Sequence, residues 1–198
     1  MPANTLSTRD YDGQRTLVIG DVNSGKTRLT ENVLAAWTAQ GRSREIAVLD
    51  LAPQTRRGVG GRLALPQGFE GVCQAPSIAP PRLMAQTEAE AEMLARANAA
   101  VVAPLLRDPR LAESTILVIN DATLYLQAGD YDLFLGFIRS AATVLINAYY
   151  GHSFPDYRLS HRERRLTERL IQDCDRIIRL PAPPASTPPA EGETICQS

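Results

Sequence analysis

Residues 15–27 read RTLVIGDVNSGKT, and the prediction of the fold starts from these residues. Its first part, 15–19, is a short apolar run of the kind that forms a buried strand. Its last eight residues match the pattern G-x-x-x-x-G-K-[ST] at every position. An amphipathic helix is predicted from Lys26 to Gln40, with Gly41 as its stop. The stretch therefore predicts a strand, a glycine-bounded turn and a helix in direct succession.

The octet has the residue types of a P-loop, a turn whose backbone N–H groups surround phosphate oxygens at the start of a helix. Lys26 is the only lysine in the chain, against twenty arginines. A compact ammonium can reach the β- and γ-phosphates where a planar guanidinium fits less well, and the Thr27 hydroxyl can coordinate magnesium. We therefore expect Mg²⁺ and ATP to bind through Gly20, Asp21, Val22, Asn23, Ser24, Gly25, Lys26 and Thr27.

The rest of the chain alternates between short apolar runs and helical patterns. Capping-box spacings at Thr87 and Ser160 each predict the start of a helix. Apolar runs separated by helices indicate a parallel sheet covered on both faces. We expect an α/β fold, a P-loop three-layer sandwich with a mainly parallel five-stranded sheet. Its predicted strands are 15–19, 45–49, 115–119, 142–146 and 176–180.

The length of 198 residues fits one domain. We assign residues 15–180 to a P-loop nucleotide-binding domain and residues 1–14 to a flexible leader. Residues 181–198 are rich in proline, alanine, serine and threonine, which predicts a disordered tail because such a segment buries little surface. The connection 51–82 is long and rich in glycine and proline, as functional or mobile loops often are.

Polar residues follow three of the predicted strands, at the edge where parallel sheets bind ligands. Asp121 is a candidate catalytic residue and magnesium ligand; the alternative is a turn residue leaving the strand. Asp50 is a candidate catalytic carboxylate that accepts a substrate hydroxyl proton or contacts magnesium through water; the alternative is a turn residue before Pro53. Asn147 is a candidate contact to the γ-phosphate or to the attacking group. With Lys26, these residues complete the predicted site.

Two departures from common nucleotide-site patterns limit the chemistry. Ala122 follows Asp121, so the water-activating glutamate found after that aspartate in vigorous ATPases is missing. Asn147 does not belong to an N-K-x-D motif, which makes GTP less favoured than ATP. One arginine after residue 150 could cover the phosphates in cis, although a solvated helix face also explains these residues, which are Arg158, Arg162, Arg164, Arg165 and Arg169.

The octet after a strand, with Asp121 at a later strand end, resembles the P-loop NTPase superfamily over residues 15–180. Together with VLDLAPQ at 48–54 the octet is similar to polynucleotide 5′-hydroxyl kinases of the RNA-processing type, which carry an Asp-Pro-Gln element after the second strand. Here Ala52 stands where those kinases have an acidic residue. The octet is also similar to switch ATPases that position protein or metal partners, but their second P-loop lysine is absent. These resemblances imply nucleotide hydrolysis or phosphoryl transfer.

The composition limits the partners. The formal net charge is −1, no apolar run is long enough to span a bilayer, and the first twelve residues are polar. We therefore expect a cytoplasmic protein with no membrane partner. Nucleic acid is a less favoured partner, although the composition does not exclude it. The predicted function is slow Mg-ATP hydrolysis or phosphoryl transfer. Two alternatives stay open: a nucleotide-gated switch that orders loop 51–82 against a protein partner, and a small-molecule or polynucleotide kinase. A protein partner could bind through loop 51–82 or through the proline-rich tail.

Overall fold

A computed structural model describes residues 7–53, 61–154 and 158–182. Across these ranges six strands form one sheet in the order β3-β2-β4-β5-β1-β6, and each strand pairs in parallel with its neighbours. The predicted α/β class is confirmed, but the predicted number of five strands is wrong, because six strands are present in these ranges. The strands are β1 (Arg15–Gly20), β2 (Ile46–Asp50), β3 (Val72–Gln74), β4 (Ile116–Asn120), β5 (Thr143–Tyr149) and β6 (Arg176–Arg179).

The missed strand, β3, lies at the edge of the sheet beside β2. It has three residues, and Cys73 at its centre is exposed. Such a strand lacks the continuous apolar run of a strand buried on both faces, so hydrophobic patterning does not reveal it. It forms because β2 offers it an unpaired edge.

Helices cover both faces of the sheet, as the three-layer prediction requires. On one face Val18, Val48 and Val118 belong to the same apolar cluster as Val33 and Trp37 of α1. The opposite cluster joins alternate strand residues to the remaining larger helices. The helices are α1 (Lys26–Ala39), α2 (Pro81–Met84), α3 (Glu88–Val102), α4 (Pro109–Ala112), α5 (Thr123–Leu126), α6 (Tyr131–Ser140) and α7 (Arg158–Asp173).

The strand order fixes where the polar strand ends meet. Strand β5 lies between β1 and β4, so the strand that leads to Asp121 is not a direct neighbour of the strand that leads to the octet. All these strands are parallel, so their carboxyl ends still meet at one edge. Among the described helices, we find none with the length and apolar character needed to cross a bilayer.

The domain boundaries differ in part from those predicted. Residues 7–14 pack on the domain: Thr8–Asp10 form a 3₁₀ turn, and the buried Tyr11 ring meets Trp37 edge-to-face at 6.1 Å. Asp12 forms an ion pair with Arg42 at 2.7 Å. The flexible leader predicted over 1–14 therefore does not extend through 7–14, because an apolar ring within it joins the core. Residues 1–6, and 183–198 of the predicted tail, lie outside the described residues.

One of the two predicted helix starts is confirmed. The Thr87 hydroxyl accepts a hydrogen bond from the Glu90 N–H at 3.2 Å, and α3 begins at Glu88. The capping box predicted at Ser160 is wrong, because α7 already begins at Arg158. Glu163, its expected capping partner, is buried in the domain.

Candidate functional site

A cavity of about 430 Å³ lies at the carboxyl edge of the sheet. Residues 22–27 form one side of it, which we call the motif wall. Arg82, Gln127 and Glu163 line it from other parts of the chain, and we call these three residues the assembled wall. Asp121 and Asn147 also line the cavity. The structure thus brings most of the predicted site residues into one space.

The turn before α1 needs glycine at both of its ends. Gly25 has φ +92°, a left-handed conformation that side chains disfavour. A β-carbon on Gly20 would lie 2.5 Å from the Ser24 hydroxyl oxygen, because the turn folds back onto the end of β1. Asn23 also has a positive φ, of 57°. Together these conformations form the tight turn that the octet predicts.

Lys26 begins α1 and holds the turn closed from inside. Its ammonium donates to the carbonyl oxygens of Gly20, at 3.0 Å, and Asp21, at 2.6 Å. Burial lowers the pKa of Lys26, while the carboxylates of Asp121 and Asp21 act in the opposite direction. An anion in the cavity would offer this half-buried cation a better partner than two neutral carbonyl groups.

Gly20 and Asp21 do not line the cavity, unlike the other six residues of the octet. The Asp21 carboxylate accepts hydrogen bonds from the backbone N–H groups of Val22, at 2.6 Å, and His152, at 3.0 Å. Burial acts to raise the pKa of Asp21, but its hydrogen bonds with Ser153, His152 and Val22 outweigh it, and the net shift is downward. Asp21 therefore ties the octet to the loop after β5 and does not line the cavity.

Asp121 has a strained backbone at the end of β4. Its φ is 57°, which is uncommon for a residue with a side chain. Its N–H donates to the Asn147 side-chain oxygen at 2.8 Å, and its carboxylate accepts from the Thr123 hydroxyl at 2.8 Å. Burial raises the pKa of Asp121, against the effects of Thr123, Lys26 and Arg82. These contacts hold a carboxylate in the wall of the cavity that Thr27 also lines.

The side-chain amide of Asn147 uses both its oxygen and its nitrogen to hold other residues in place. Its oxygen accepts from Asp121, and its Nδ2 donates to the Thr30 hydroxyl at 3.0 Å and to the Asn120 oxygen at 2.7 Å. An amide has two donor hydrogens, so both are used. The predicted contact between Asn147 and a γ-phosphate would require breaking this network. We assign Asn147 to holding Asp121 in place.

Asp50 is also occupied by contacts within the chain. Its side chain accepts hydrogen bonds from the N–H groups of Ala52, at 3.1 Å, and Leu63, at 2.8 Å, and from the Asn120 amide at 2.7 Å. The residue is 3% exposed and is not among the residues that line the cavity. The geometry therefore does not support the predicted catalytic role of Asp50, and the carboxylate instead ties residues 52 and 63 to β4.

The assembled wall contains functional candidates that the sequence did not reveal. Arg82 and Glu163 form an ion pair of 2.7 Å with side chains 8% and 3% exposed. Gln127 donates to the same Glu163 oxygen at 2.8 Å. One signal was available for Glu163: it occupies an apolar stripe of α7 at helical spacing, with the buried residues Leu159, Leu166 and Leu170.

Two aromatic rings and a second cavity adjoin this ion pair. The Arg82 guanidinium carbon lies 5.3 Å from the centre of the Tyr149 ring and 4.7 Å from that of Phe154. A second cavity of about 420 Å³ is lined by the same four residues, Arg82, Tyr149, Phe154 and Glu163, together with residues such as His152 and Arg164. The buried ion pair therefore lies between two spaces.

The arginines predicted as candidates do not reach the larger cavity. None of Arg158, Arg162, Arg164, Arg165 and Arg169 is among the described residues that line it. Arg162 donates to the Gly129 carbonyl at 2.9 Å, and Arg169 lies 4.1 Å from the Tyr131 ring centre. In loop 51–82, Arg62 donates to the carbonyls of Ala75 and Pro76. Arg56 and Arg57 fall outside the described residues.

Comparisons with known proteins give a structural likeness. No family model matches the chain, and no curated protein matches it. Among solved structures it is similar to the flagellar accessory protein FlaH from Methanocaldococcus jannaschii, with a TM-score of 0.53 and 11% sequence identity. The match covers 85% of this chain and 71% of that chain. At this identity the likeness concerns the fold alone, which is an α/β fold with a parallel sheet flanked by helices.

Proposed function

We propose that this protein binds Mg-ATP in the larger cavity and hydrolyses it slowly. One observation carries the proposal: a half-buried lysine, the only one in the chain, is held by backbone carbonyls inside a strained glycine turn that lines the cavity. The turn precedes a helix of 14 residues, whose N-terminus favours anions. Lys26 then neutralises charge on the β- and γ-phosphates.

The metal-ligand chemistry of the cavity fits magnesium. Thr27 offers a hydroxyl and Asp121 a carboxylate, and hard cations prefer such oxygen ligands. When bound, magnesium would neutralise charge on the phosphate oxygens. In the chain itself, Asn147 and Thr123 keep the Asp121 carboxylate oriented. We assign Thr27 and Asp121 to the metal and Lys26 to the phosphates.

Slow turnover follows from the carboxylates. Ala122 stands after Asp121, and the Glu163 carboxylate is paired with Arg82 and hydrogen-bonded to Gln127. Asp50 accepts three hydrogen bonds from the chain. A general base must reach the proton that it removes. Asp50 is engaged by these three hydrogen bonds, and Glu163 is held by Gln127 as well as by Arg82. With neither of these two carboxylates poised as a base, we expect water attack on the γ-phosphate to depend mainly on positioning and charge.

The solitary lysine provides a direct test. An amine-specific reagent can modify only Lys26 and the α-amino group of the chain. Bound Mg-ATP should reduce labelling of Lys26 at least about 10-fold at saturating nucleotide, while the α-amino group serves as the internal reference. Peptide mass spectrometry measures both. Equal labelling of Lys26 with and without ATP, ADP or GTP would contradict nucleotide binding.

Hydrolysis requires a separate assay. Release of labelled phosphate from γ-labelled ATP should fall to background in Lys26→Ala and remain in Arg44→Ala, which changes an arginine 83% exposed on the surface. Label that appears on a second molecule rather than as inorganic phosphate would indicate phosphoryl transfer. Equal phosphate release by wild type and Lys26→Ala would refute the enzymatic part of the proposal.

A second candidate function is a nucleotide-gated switch. The specific observation is a chain of hydrogen bonds: Thr30 donates to the Lys26 carbonyl, Asn147 joins Thr30 to Asn120, and Asn120 donates to Asp50. Asp50 in turn accepts from Leu63 in loop 51–82. Nucleotide at Lys26 could therefore change the order of that loop, which would then contact a protein partner. Hydrogen exchange at residues 61–80 that is identical with and without Mg-ATP would rule the switch out.

A further inference from the structure

The ion pair of Arg82 and Glu163 is placed where an ion pair is costly. Both side chains are more than nine-tenths buried. Two charges removed from water lose hydration that their mutual attraction only partly replaces. Glu163 receives a second hydrogen bond from Gln127, but the guanidinium is less well satisfied. The Arg82 guanidinium has lost hydration and lacks a full set of hydrogen-bond acceptors. A cation in that state at the edge of a cavity is suited to binding an anionic ligand.

Two buried polar atoms in the assembled wall lack partners. Within the described residues, Nε of Arg82 and Oε1 of Gln127 have no hydrogen-bond partner. Buried donors and acceptors are usually paired, and leaving one unpaired is destabilising. Both residues line the larger cavity. Arg82 also lines the second cavity, and its unused donor can pair with an acceptor in the larger cavity once the guanidinium turns away from Glu163.

Arg82 borders the position of the phosphates. Tyr149 joins the two cations: its ring centre lies 5.9 Å from the Lys26 ammonium and 5.3 Å from the Arg82 guanidinium carbon. The charge of Arg82 also reaches Asp121, the proposed magnesium ligand. The motif wall and Arg82 therefore border one small volume of the larger cavity. The Tyr149 and Phe154 rings keep the guanidinium plane at its edge.

We propose that Arg82 recognises the terminal phosphate of a nucleoside triphosphate, exchanging its ion pair with Glu163 for a contact with the γ-phosphate. This inference rests on the proposed nucleotide binding and adds a residue that determines specificity. A guanidinium fork matches phosphate oxygens with two parallel hydrogen bonds. A diphosphate ends before that position and leaves Arg82 on Glu163. The ion pair thus distinguishes triphosphate from diphosphate.

Two variants and a matched control test the exchange. Glu163→Gln weakens the competitor for Arg82 while keeping a side-chain oxygen in place. The pair Arg82→Gln/Glu163→Gln removes both charges together, so neither is left buried alone. The control, Arg44→Gln/Glu70→Gln, neutralises an Arg–Glu pair of 2.6 Å whose side chains are 83% and 57% exposed. Calorimetry with Mg²⁺ measures the Kd of a non-hydrolysable ATP analogue and of ADP.

The expected results separate the two ligands. Glu163→Gln should bind the triphosphate analogue about 5-fold more tightly. Arg82→Gln/Glu163→Gln should bind it about 20-fold more weakly, as expected for the loss of a charge-assisted hydrogen bond. The Kd of ADP should stay within about 2-fold in every variant, and the control should match wild type for both ligands.

Contrary outcomes are distinguishable. An unchanged ratio of triphosphate to diphosphate affinity in Arg82→Gln/Glu163→Gln would overturn the role of Arg82 and leave nucleotide binding intact. If that variant does not fold, Glu163→Gln alone tests the exchange of partners by Arg82. An unchanged Kd of the triphosphate analogue in Glu163→Gln then overturns the proposal. Wild-type protein that binds neither ligand would overturn the proposed function and, with it, this inference.

Discussion

The two walls of the larger cavity are built in different ways. The motif wall is contiguous, residues 22–27, and its geometry depends on backbone conformations at Asn23 and Gly25. The assembled wall takes one side chain from α2, one from the residue after α5 and one from α7. The motif wall carries the Lys26 ammonium and the Thr27 hydroxyl, whereas the assembled wall presents a buried ion pair with unpaired atoms.

The difference indicates which substitutions affect binding and which affect folding. Side chains of the motif wall are half-buried or exposed, so changing them should remove the proposed ligand contacts and few tertiary ones. Side chains of the assembled wall are buried and hydrogen-bonded, as are those of Asn147, Asn120 and Asp50. Changing one of these leaves buried partners unsatisfied, so stability falls before function can be measured. Four predictions, ordered by expected change in unfolding free energy, test that division.

Asp50→Ala should have the largest effect on stability. It leaves the N–H groups of Ala52 and Leu63 and the Asn120 amide without their acceptor. We expect a loss of about 4 kcal/mol in unfolding free energy, since each unsatisfied buried donor costs roughly 1–3 kcal/mol. Urea unfolding measures it, with Asp132→Ala, an 84% exposed carboxylate, as the control. A stable Asp50→Ala that has lost only turnover would restore the predicted catalytic role.

Glu163→Ala should cost about 3 kcal/mol, because the Arg82 cation remains buried without its partner. The exposed glutamate of the pair Arg44–Glu70 is the matched control, and Glu70→Ala should change stability by less than about 1 kcal/mol. Denaturant midpoints of both variants give the comparison. Similar losses in the two variants would mean that burial does not distinguish the pairs.

Gly25→Ala should cost about 1–2 kcal/mol and weaken nucleotide binding. No atom lies within 4 Å of the added β-carbon, so the loss is backbone strain at φ +92°. Gly136→Ala is the control: it lies within α6, its β-carbon also meets open space, and its φ is not positive. That change should stabilise the protein by about 0.5–1 kcal/mol. Thermal unfolding of both variants would show opposite signs if the octet turn has this conformation.

Lys26→Met should abolish nucleotide binding yet stabilise the unliganded protein by about 1 kcal/mol at pH 7, because a half-buried cation is replaced by an apolar chain. The Gly20 and Asp21 carbonyls that Lys26 contacts keep hydrogen bonds from the N–H groups of Tyr150 and Ser24. The pKa of Lys26 is lowered by burial. Between that lowered pKa and the ordinary lysine value, the unfolded chain binds more protons, so wild-type stability rises with pH. The advantage of Lys26→Met should therefore shrink from pH 7 to pH 10 in urea titrations. An advantage that grows with pH would contradict a lowered pKa.

Much of the fold could be predicted because the information is local. The helix from Lys26 and the Thr87 cap each follow from a few adjacent residues, and the α/β class follows from a succession of such local patterns along the chain. The edge strand β3 could not be predicted, since it depends on pairing with β2. The wrong cap at Ser160 has a similar cause: Glu163 fits a capping box by spacing, but the apolar stripe of α7 directs it inward, where it meets Arg82.

The octet turn can be predicted from local sequence, because its strained backbone and its lysine require only residues that are neighbours in the chain. Tertiary structure decided the rest of the site. It engaged Asp50 and Asn147 in a buried network, it kept the arginines of α7 out of the cavity, and it placed Arg82 there. The physical reason is that a buried polar side chain takes its role from the partners that packing supplies, and those partners lie far away in the sequence.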